Sequence, residues 1–208
     1  MDPQQPGRLI TLEGPEGAGK TVLGQRLATA LVAQGRSVVL TREPGGTRLG
    51  ERLRAVLLED AGRVDPRADA LLFNAARAQL VAEILRPALA AGQVIVCARF
   101  ADSTLAYQGY GEGIPLAELR ALASVATGGL VPDRTILLDV DPEIGLRRKS
   151  EGEQTRFEAS FDLEFHRRVR AGFLALAAAE PERFRVIDAS RGVDAVFADV
   201  LAAAVEIG

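Results

Sequence analysis

The sequence predicts an α/β fold, a three-layer sandwich in which a five-stranded parallel sheet is flanked by helices and carries a small lid. Short β-branched runs alternate along the chain with longer segments rich in alanine, leucine and arginine. This alternation is typical of parallel strands joined by helical crossovers. The run Val94–Ala98 is apolar throughout, as expected of a strand buried on both faces. Residues 1–208 contain no repeat or linker and are predicted to form one domain.

Each element follows from its own local pattern. Strands are predicted at Arg8–Glu13, Ser37–Thr41, Val94–Ala98, Thr135–Val140 and Phe184–Asp188. Helices are predicted at Lys20–Gln34, Leu49–Leu58, Asp65–Ala91, Leu116–Thr127, Pro142–Lys149, Phe157–Ala179 and Val193–Val205. Gly35 is suited to end the first helix, because glycine adopts the left-handed conformation found there. Pro87 is expected to bend the longest helix near its end, since proline cannot donate the helical hydrogen bond.

The composition excludes several classes of protein. A hydrophobic fraction of 48% with 25% charged residues is close to the globular average and argues against disorder. The net charge of −3 disfavours a main role in nucleic-acid binding. The polar amino terminus is unlike a signal peptide, and no run of about 18 apolar residues predicts a membrane span. Cys97 is the one cysteine, so no internal disulfide forms and a cytoplasmic location is expected.

The strongest motif follows the first predicted strand and begins the first predicted helix. It matches G-x-x-x-x-G-K-[ST], the P-loop pattern that binds the phosphates of nucleoside triphosphates. Lysine occurs in this chain only at positions 20 and 149, which makes the lysine of the motif conspicuous. The residues predicted to bind ATP are Gly14, Pro15, Glu16, Gly17, Ala18, Gly19, Lys20 and Thr21.

The chemistry of this motif is specific. Its glycines let the backbone turn with N–H groups inward, and the positive end of the following helix adds to the attraction for phosphate. Lys20 is predicted to reach the β- and γ-phosphates, and the Thr21 hydroxyl to hold Mg²⁺. Glu16 does not fit a site for polyanions, because its charge repels phosphate. We interpret it either as a solvated loop carboxylate or as a group that faces the second substrate.

Polar segments follow the second and third predicted strands at the same edge of the sheet. TREPGGT, residues 41–47, contains Arg42, which carries the charge to bind an anion; an ordinary loop explains this stretch equally well. Arg99 follows the third strand, at a point suited to bridging the phosphates of two nucleotides. Ser103, Tyr107 and Gln108 add hydroxyl and amide groups suited to a sugar and a neutral base.

A further candidate pair lies on the long predicted helix. Phe73 and Arg77 are four residues apart and therefore share one helix face. An aromatic ring there can stack on a base while a guanidinium one turn away bonds the base edge. Taken alone, such a pair is more often one core residue and one surface residue.

The chain resembles bacterial thymidylate kinases, which are P-loop nucleoside monophosphate kinases, from about Leu9 to the C-terminal helix. The matching segments, in the family's order, are LEGPEGAGKT, TREPGGT, LLFNAARAQ, RFADSTLAYQG, LLDVDPEIGLRR and RFE…SFD. The resemblance implies transfer of the ATP γ-phosphoryl group to dTMP, giving dTDP and ADP in dTTP synthesis. It implies Mg²⁺ as the cofactor and a homodimer whose other partners are ATP and dTMP, without nucleic acid or membrane.

The resemblance also implies roles for individual residues. Phe73 is expected to stack on thymine, Arg77 to bond the base edge, and Glu16 to lie near the sugar 3′-hydroxyl. Arg42 and Arg99 are expected to bind the dTMP phosphate, with Tyr107 crowding out a 2′-hydroxyl. The implied dTMP site as a whole is Glu16, Arg42, Glu43, Phe73, Arg77, Arg99, Ser103, Tyr107 and Gln108.

The family's mobile lid matches about residues 147–158. A basic residue of this lid is expected to act in catalysis together with Lys20 and Arg99. The candidates are Arg147, Arg148, Lys149 and Arg156. Among them, Arg148 and Arg156 are favoured.

Two positions depart from the family's pattern. Ala98 stands where the family's D-R-[FYH] pattern has an acid, and Thr155 where its D-R-x-E pattern has one. The missing carboxylate would hold the metal's water shell or orient the arginine, so Glu16, Asp102 or Asp139 are candidates to replace it. Two alternatives stay open: a kinase of another pyrimidine monophosphate such as dUMP or dCMP, and a nucleotide-binding homologue with weak or no turnover.

Overall fold

Five parallel strands form the sheet of the computed structural model, which describes residues 6–58, 64–149 and 161–206. The strands are β1 (Arg8–Glu13), β2 (Val38–Arg42), β3 (Val94–Ala98), β4 (Arg134–Asp139) and β5 (Phe184–Asp188). They lie in the order β2-β3-β1-β4-β5, and every neighbouring pair is parallel. The predicted fold class is therefore confirmed. β2 and β4 are each displaced by one residue from the prediction, because the ladder includes the pairs Arg42–Ala98 and Ile10–Arg134.

Helices cover the sheet in the described ranges. They are α1 (Lys20–Ala33), α2 (Arg48–Leu58), α3 (Pro66–Leu80), α4 (Arg86–Ala90), α5 (Ala101–Thr104), α6 (Leu116–Thr127), α7 (Pro142–Lys149), α8 (Leu163–Ala179) and α9 (Val193–Val205). Two π-helical segments, Val81–Leu85 and Leu105–Gly111, continue α3 and α5. None of these helices is both long and apolar enough to cross a membrane.

The long helix predicted from Asp65 to Ala91 is disturbed in the turn that precedes Pro87, the residue expected to bend it. Pro87 has no N–H for the helical bond, and its ring crowds the carbonyl four residues earlier. The backbone widens into the π-helical turn Val81–Leu85, in which the Arg86 N–H reaches the carbonyl of Val81, five residues back. The wider turn accommodates the proline without ending the helix.

The polar segment after β3, for which no helix was predicted, is helical from Ala101 to Gly111. Its glycines obscure the helix in the sequence but allow close packing in the structure. A side chain at Gly109 would lie 2.5 Å from Leu116 Cδ2, and one at Gly111 would lie 2.5 Å from Phe165 Cε2. Tertiary packing therefore overrides local propensity here.

The start of α8 also differs from the prediction. Asp162 caps the helix, its side chain accepting a hydrogen bond from the Phe165 N–H at 2.8 Å. A helix running unbroken from Phe157 is therefore wrong at residues 161 and 162, while residues 157–160 lie outside the described ranges.

The core lies on both faces of the sheet, because successive strand residues point to opposite sides. On one face Ile10 and Val96 pack with α1 and α9 through residues such as Leu27 and Val200. On the other face Leu9 and its neighbours pack beneath α3 and α4, and a further cluster joins α6 and α8. With helices on both sides, the sheet leaves the carboxyl edge of its strands open for a ligand site.

Candidate active site

A cleft opens at the edge of the sheet where β1, β2 and β3 end. Open α/β sheets bind their ligands at this carboxyl edge. Most of the residues predicted for the acceptor site contribute to its wall. The lining consists of Glu16, Glu43, Pro44, Arg54, Leu58, Phe73, Arg77, Arg99, Phe100, Ser103, Thr104, Tyr107, Gln108 and Lys149.

The phosphate-binding motif forms a tight turn between β1 and α1. Gly14, Gly17 and Gly19 adopt φ angles of 142°, 68° and 90°, which glycine reaches without strain. α1 begins at Lys20, so the unpaired N–H groups and positive dipole of its first turn are available to an anion. A side chain at Gly17 would lie 2.0 Å from the carbonyl oxygen of Gly145, so the motif also packs directly on α7.

Lys20 lies inside this turn. Its Nζ donates to the carbonyl oxygens of Gly14 at 2.8 Å and Pro15 at 2.7 Å. Burial, with help from nearby Arg99, lowers the pKa of Lys20 to about 7. Phosphate groups beside the amine would raise this pKa again, because an opposite charge favours the protonated form. The next residue, Thr21, has an exposed side chain.

Glu16 lies at the junction of the phosphate loop and the cleft. Its Oε1 accepts hydrogen bonds from Arg99 Nη2 at 2.5 Å and from the Tyr107 hydroxyl at 3.0 Å. Its Oε2 accepts from Lys149 Nζ at 3.1 Å. Burial alone would raise the pKa of Glu16, but Arg99, Lys20 and Lys149 outweigh it and hold that pKa well below its usual range. Glu16 is thus an ionised carboxylate paired with cations rather than a solvated loop residue.

Arg99 connects the phosphate loop to the acceptor cleft. Its Nη1 contacts the Gly14 carbonyl at 3.5 Å and the Ser103 hydroxyl at 3.2 Å. Its backbone has a φ of 70°, a left-handed conformation that costs a non-glycine residue about 1–3 kcal/mol and concentrates at functional sites. Burial alone would lower the pKa of Arg99, but Tyr107 and Glu16 outweigh it and raise that pKa above its usual range.

A second acid, Glu13, lies behind Arg99 and was missed by the sequence interpretation. It is the last residue of β1 and is fully buried. Its Oε1 accepts from the Phe100 N–H at 2.7 Å and its Oε2 from the Ser103 hydroxyl at 2.6 Å. Burial, and then the neighbouring Asp102, raises the pKa of Glu13 to about 7. The signal in the sequence is an acid that ends an otherwise buried strand.

The far end of the cleft contains the predicted base-binding pair. Phe73 is half-buried in the wall, one helical turn from Arg77, which is fully buried. The Arg77 Nε donates to Glu43 at 2.8 Å and its Nη1 to Asn74 Oδ1 at 2.8 Å. Within the described ranges, the buried Glu43 Oε1 and Gln108 Nε2 have no hydrogen-bond partner. The pocket therefore presents unused acceptor and donor atoms beside an aromatic ring.

Comparison with known proteins agrees with this geometry. The thymidylate kinase family model matches residues 12–200. A thymidylate kinase of Deinococcus radiodurans is 54% identical over 203 residues, which cover 97% of this chain and 98% of the relative. One from Solidesulfovibrio magneticus is 55% identical over 196 residues, covering 90% and 93%.

The chain belongs to the thymidylate kinase family. The crystal structure of thymidylate kinase from Ehrlichia chaffeensis also superimposes on it with a TM-score of 0.77 at 35% identity, covering 95% of this chain and 98% of the other. The resemblance inferred from the sequence is therefore confirmed.

One arginine implied by the thymidylate kinase resemblance lies elsewhere. Arg42, expected at the dTMP phosphate, does not line the cleft; its half-exposed side chain pairs with Glu51 at 3.1 Å. Arg54 lines the cleft instead and donates to the Pro44 carbonyl at 2.9 Å. The spacing along α2 could have indicated that Arg54 faces inward. Gly50 and Leu57 are the buried residues of this helix. Arg54 lies four residues after the first and three before the second, and so shares their face.

The lid arginine favoured from the sequence also lies away from the cleft. Arg148 donates to the carbonyls of Ala189 at 2.9 Å and Ser190 at 3.1 Å, and so holds α7 against the loop after β5. Lys149 is the basic residue of α7 that lines the cleft. Arg156 and Thr155 lie outside the described residues.

The acids proposed to replace the one missing at Ala98 are mostly engaged elsewhere. Asp102 pairs with Arg183 through both oxygens, at 2.7 and 3.0 Å. Asp139 pairs in the same way with Arg170, at 2.7 and 2.9 Å. Neither lines the cleft. No group of three or more acidic, cysteine or histidine residues suited to a metal occurs in the parts of the chain that the structure describes.

Proposed function

We propose that the chain transfers the γ-phosphoryl group of ATP to dTMP, giving dTDP and ADP. The observation that carries this is the position of Arg99, whose guanidinium contacts Gly14 and Glu16 on the phosphate loop and Ser103 and Tyr107 on the acceptor cleft. Phosphoryl transfer depends on positioning the two substrates and on cations around the transferred group. One guanidinium between both substrates meets that need.

The donor site is assigned to the phosphate loop. The loop N–H groups and the start of α1 would bind the ATP phosphates, and Lys20 would leave the loop carbonyls for the β- and γ-phosphates. Among the described residues, the exposed Thr21 hydroxyl at the start of α1 would supply an oxygen ligand for Mg²⁺. This fits an ion that arrives as MgATP and keeps mostly phosphate and water ligands. Bound there, Mg²⁺ would neutralise charge on the transferred group.

The acceptor site is assigned to the cleft. Phe73 would stack on thymine, and Arg77 and Gln108 would donate to its carbonyl oxygens. Glu43 holds Arg77 in place. Glu16 and Tyr107 would lie beside the deoxyribose, where the Tyr107 ring would exclude a 2′-hydroxyl. Arg99 and Ser103, together with Arg54 rather than Arg42, would bind the dTMP phosphate.

The catalytic cations proposed here are Lys20, Arg99 and Lys149. Lys149 replaces Arg148 in this set because its Nζ already lies 3.1 Å from Glu16 in the cleft, while Arg148 is bound to two carbonyls. Arg156 stays a candidate from the resemblance alone. Residues 147–158 are proposed to act as a lid that excludes water from the transferred phosphoryl group, within a single kinase domain of residues 1–208.

We further propose a cytoplasmic homodimer that binds no nucleic acid or membrane. Three adjoining helices carry exposed apolar side chains: Val56 on α2, Leu71 on α3 and Val125 on α6, with Val125 83% exposed. A second copy that covered them would remove this apolar surface from water. The location rests on the single buried Cys97 and the acidic net charge.

The direct test is a coupled ADP-release assay with ATP and Mg²⁺, comparing dTMP, dUMP, dCMP and no acceptor. We expect a higher kcat/KM with dTMP than with dCMP, because the cytosine amino group in place of the thymine carbonyl would face donors and leave them unpaired. If turnover is highest with dUMP or dCMP, the chain is instead a kinase of that pyrimidine monophosphate. Binding of dTMP without turnover by any acceptor would leave a nucleotide-binding homologue.

A further inference from the structure

Glu13 is a fully buried carboxylate whose two oxygens both have donors from the segment that follows β3. Oε1 accepts the Phe100 N–H and Oε2 accepts the Ser103 hydroxyl, at 2.7 and 2.6 Å. It does not line the cleft. Burying a carboxylate is unfavourable unless hydrogen bonds and charges compensate, so this placement calls for a reason beyond packing.

The two donors to Glu13 follow Arg99 in the chain, at positions 100 and 103. The Arg99 N–H donates to the Leu12 carbonyl at 2.9 Å, and the next N–H, that of Phe100, goes to Glu13. The strand end of β1 thus fixes the backbone on both sides of the left-handed residue, whose φ is 70°. Without Glu13, the Phe100 N–H would be a buried donor with no acceptor from β1.

Ser103 extends the same arrangement to the guanidinium. Because its hydroxyl donates to Glu13, its oxygen lone pairs face Arg99, whose Nη1 donates to it at 3.2 Å. Glu13 therefore determines which way the Ser103 hydroxyl points. The Arg99 side chain is held between Ser103 on one side and Glu16 on the other.

We propose that Glu13 is a positioning residue for the transfer reaction, which aims the Arg99 guanidinium by fixing the backbone turn at Phe100 and the hydroxyl of Ser103. The proposal rests on the proposed function, in which Arg99 contacts the phosphate of the acceptor. Ala98 offers no carboxylate for this purpose, and Asp102 is bound by Arg183. The neighbouring strand end of β1 supplies the acid instead.

The first experiment measures kcat and KM for dTMP at saturating MgATP in the wild type, Glu13→Ala and Glu13→Gln. A displaced Arg99 guanidinium would weaken stabilisation of the transition state more than binding of dTMP. We therefore expect kcat to fall about 10–100-fold in Glu13→Ala, with a smaller change in KM. Glutamine keeps an oxygen for the Phe100 N–H, so Glu13→Gln should recover part of kcat. If Glu13→Ala does not fold, Glu13→Gln carries the comparison alone.

Asp133→Asn is the matched control. Asp133 accepts the Leu9 N–H at 2.8 Å, at the opposite end of the same strand, so its loss disturbs β1 without touching Arg99. We expect a lower melting temperature in this variant with kcat unchanged. A melting-temperature loss in both Glu13 variants with kcat and KM at the wild-type values would show a purely structural role and overturn the proposal.

A double-mutant cycle with Arg99→Ala tests whether Glu13 acts through Arg99. If it does, Glu13→Gln lowers kcat in the wild type but changes it less than about twofold in the Arg99→Ala background. Equal losses in both backgrounds would overturn the proposal. Failure of the proposed function has a different signature, a wild-type enzyme without dTMP-dependent ADP release.

Discussion

Lys149 Nζ at the end of α7 lies 3.1 Å from Glu16 Oε2 in the phosphate loop, although the two residues are 133 positions apart in the chain. The pair brings a cation from the proposed lid to the place where donor and acceptor phosphates would meet. Glu16 also holds Arg99, so one carboxylate collects two cations at that point.

This pair predicts a catalytic role for Lys149. Lys149→Met should lower kcat about 100-fold, the usual cost of losing one group that stabilises charge in a transition state. Lys149→Arg should retain more activity because it keeps the charge. Arg26→Met, which breaks an exposed ion pair with Asp194, is the control and should leave kcat unchanged. Equal kcat in Lys149→Met and the wild type would remove Lys149 from the mechanism.

The contact between the phosphate loop and α7 predicts an unusual effect of an alanine in a helix. A side chain at Gly145 would lie 2.2 Å from the Glu16 carbonyl oxygen, so Gly145→Ala must push the loop and α7 apart. Alanine normally stabilises a helix relative to glycine, yet here we expect a loss of about 1–3 kcal/mol in unfolding free energy. KM for ATP should rise as the loop distorts.

Gly192→Ala provides the control for that substitution. Apart from its own chain neighbours, no atom of the residues that the structure describes lies within 4 Å of the side chain it would add, and the backbone of Gly192 has a negative φ of −61°. Its unfolding free energy and KM for ATP should match the wild type within error. If Gly145→Ala behaves in the same way, the close contact between α7 and the loop is not maintained in solution.

The buried pair Arg77–Glu43 predicts a strong coupling in stability. Burial raises the pKa of Glu43 and Arg77 opposes that effect, so Arg77→Met would leave a buried acid without its cation. We expect a cost of about 3–5 kcal/mol in denaturant unfolding. The double variant Arg77→Met with Glu43→Gln should recover a large part of that cost, since no buried charge remains. Additive losses would contradict the coupling.

The sequence contained most of the fold because strand and helix patterns here are local. β1, β3 and β5, and the helices α6, α7 and α9, have the predicted bounds. The helical course of residues 101–111 was not predictable in the same way. Its glycines lower helix propensity, and they are accommodated by contacts with α6 and α8 that exist only in the folded chain.

The same distinction between local patterns and long-range contacts applies to the candidate site. Residues within contiguous motifs, such as Lys20 and Arg99, could be identified because one segment contains the whole signal. Arg54, Lys149 and Glu13 were missed or given less weight, since their importance depends on contacts between distant segments: Lys149 with the phosphate loop, and Glu13 with the turn after β3. Motif matching alone does not indicate which of several arginines enters a cleft.

The exposed apolar side chains of α3 and α6 predict a dimer surface. Leu71→Glu would place a charge in an interface that buries this residue, so we expect a shift from dimer to monomer in sedimentation at micromolar concentration. Val186→Glu changes a similarly exposed side chain on β5 and should leave the sedimentation coefficient unchanged. A wild-type monomer, or a dimer insensitive to Leu71→Glu, would argue against this surface.

The raised pKa of Glu13 predicts that its ionised carboxylate lowers the stability of the protein while it supports activity. The pKa is about 7 in the folded protein, against a usual value of 4.5, so between these values the folded state binds more protons than the unfolded state. The contribution of Glu13 to the free energy of unfolding is therefore fully present below pH 4.5 and is lost as pH rises through 7. The loss amounts to about 3 kcal/mol at most.

Glutamine does not titrate, so Glu13→Gln removes this dependence. Denaturant unfolding at pH 5 and pH 8 should show Glu13→Gln gaining stability relative to the wild type as pH rises, while its kcat stays below the wild-type value. If the difference in unfolding free energy between Glu13→Gln and the wild type does not change with pH, Glu13 is ionised at both pH values. The expected result would show that the chain retains a destabilising buried charge at pH 8 because the ionised carboxylate aims Arg99 better than a neutral amide does.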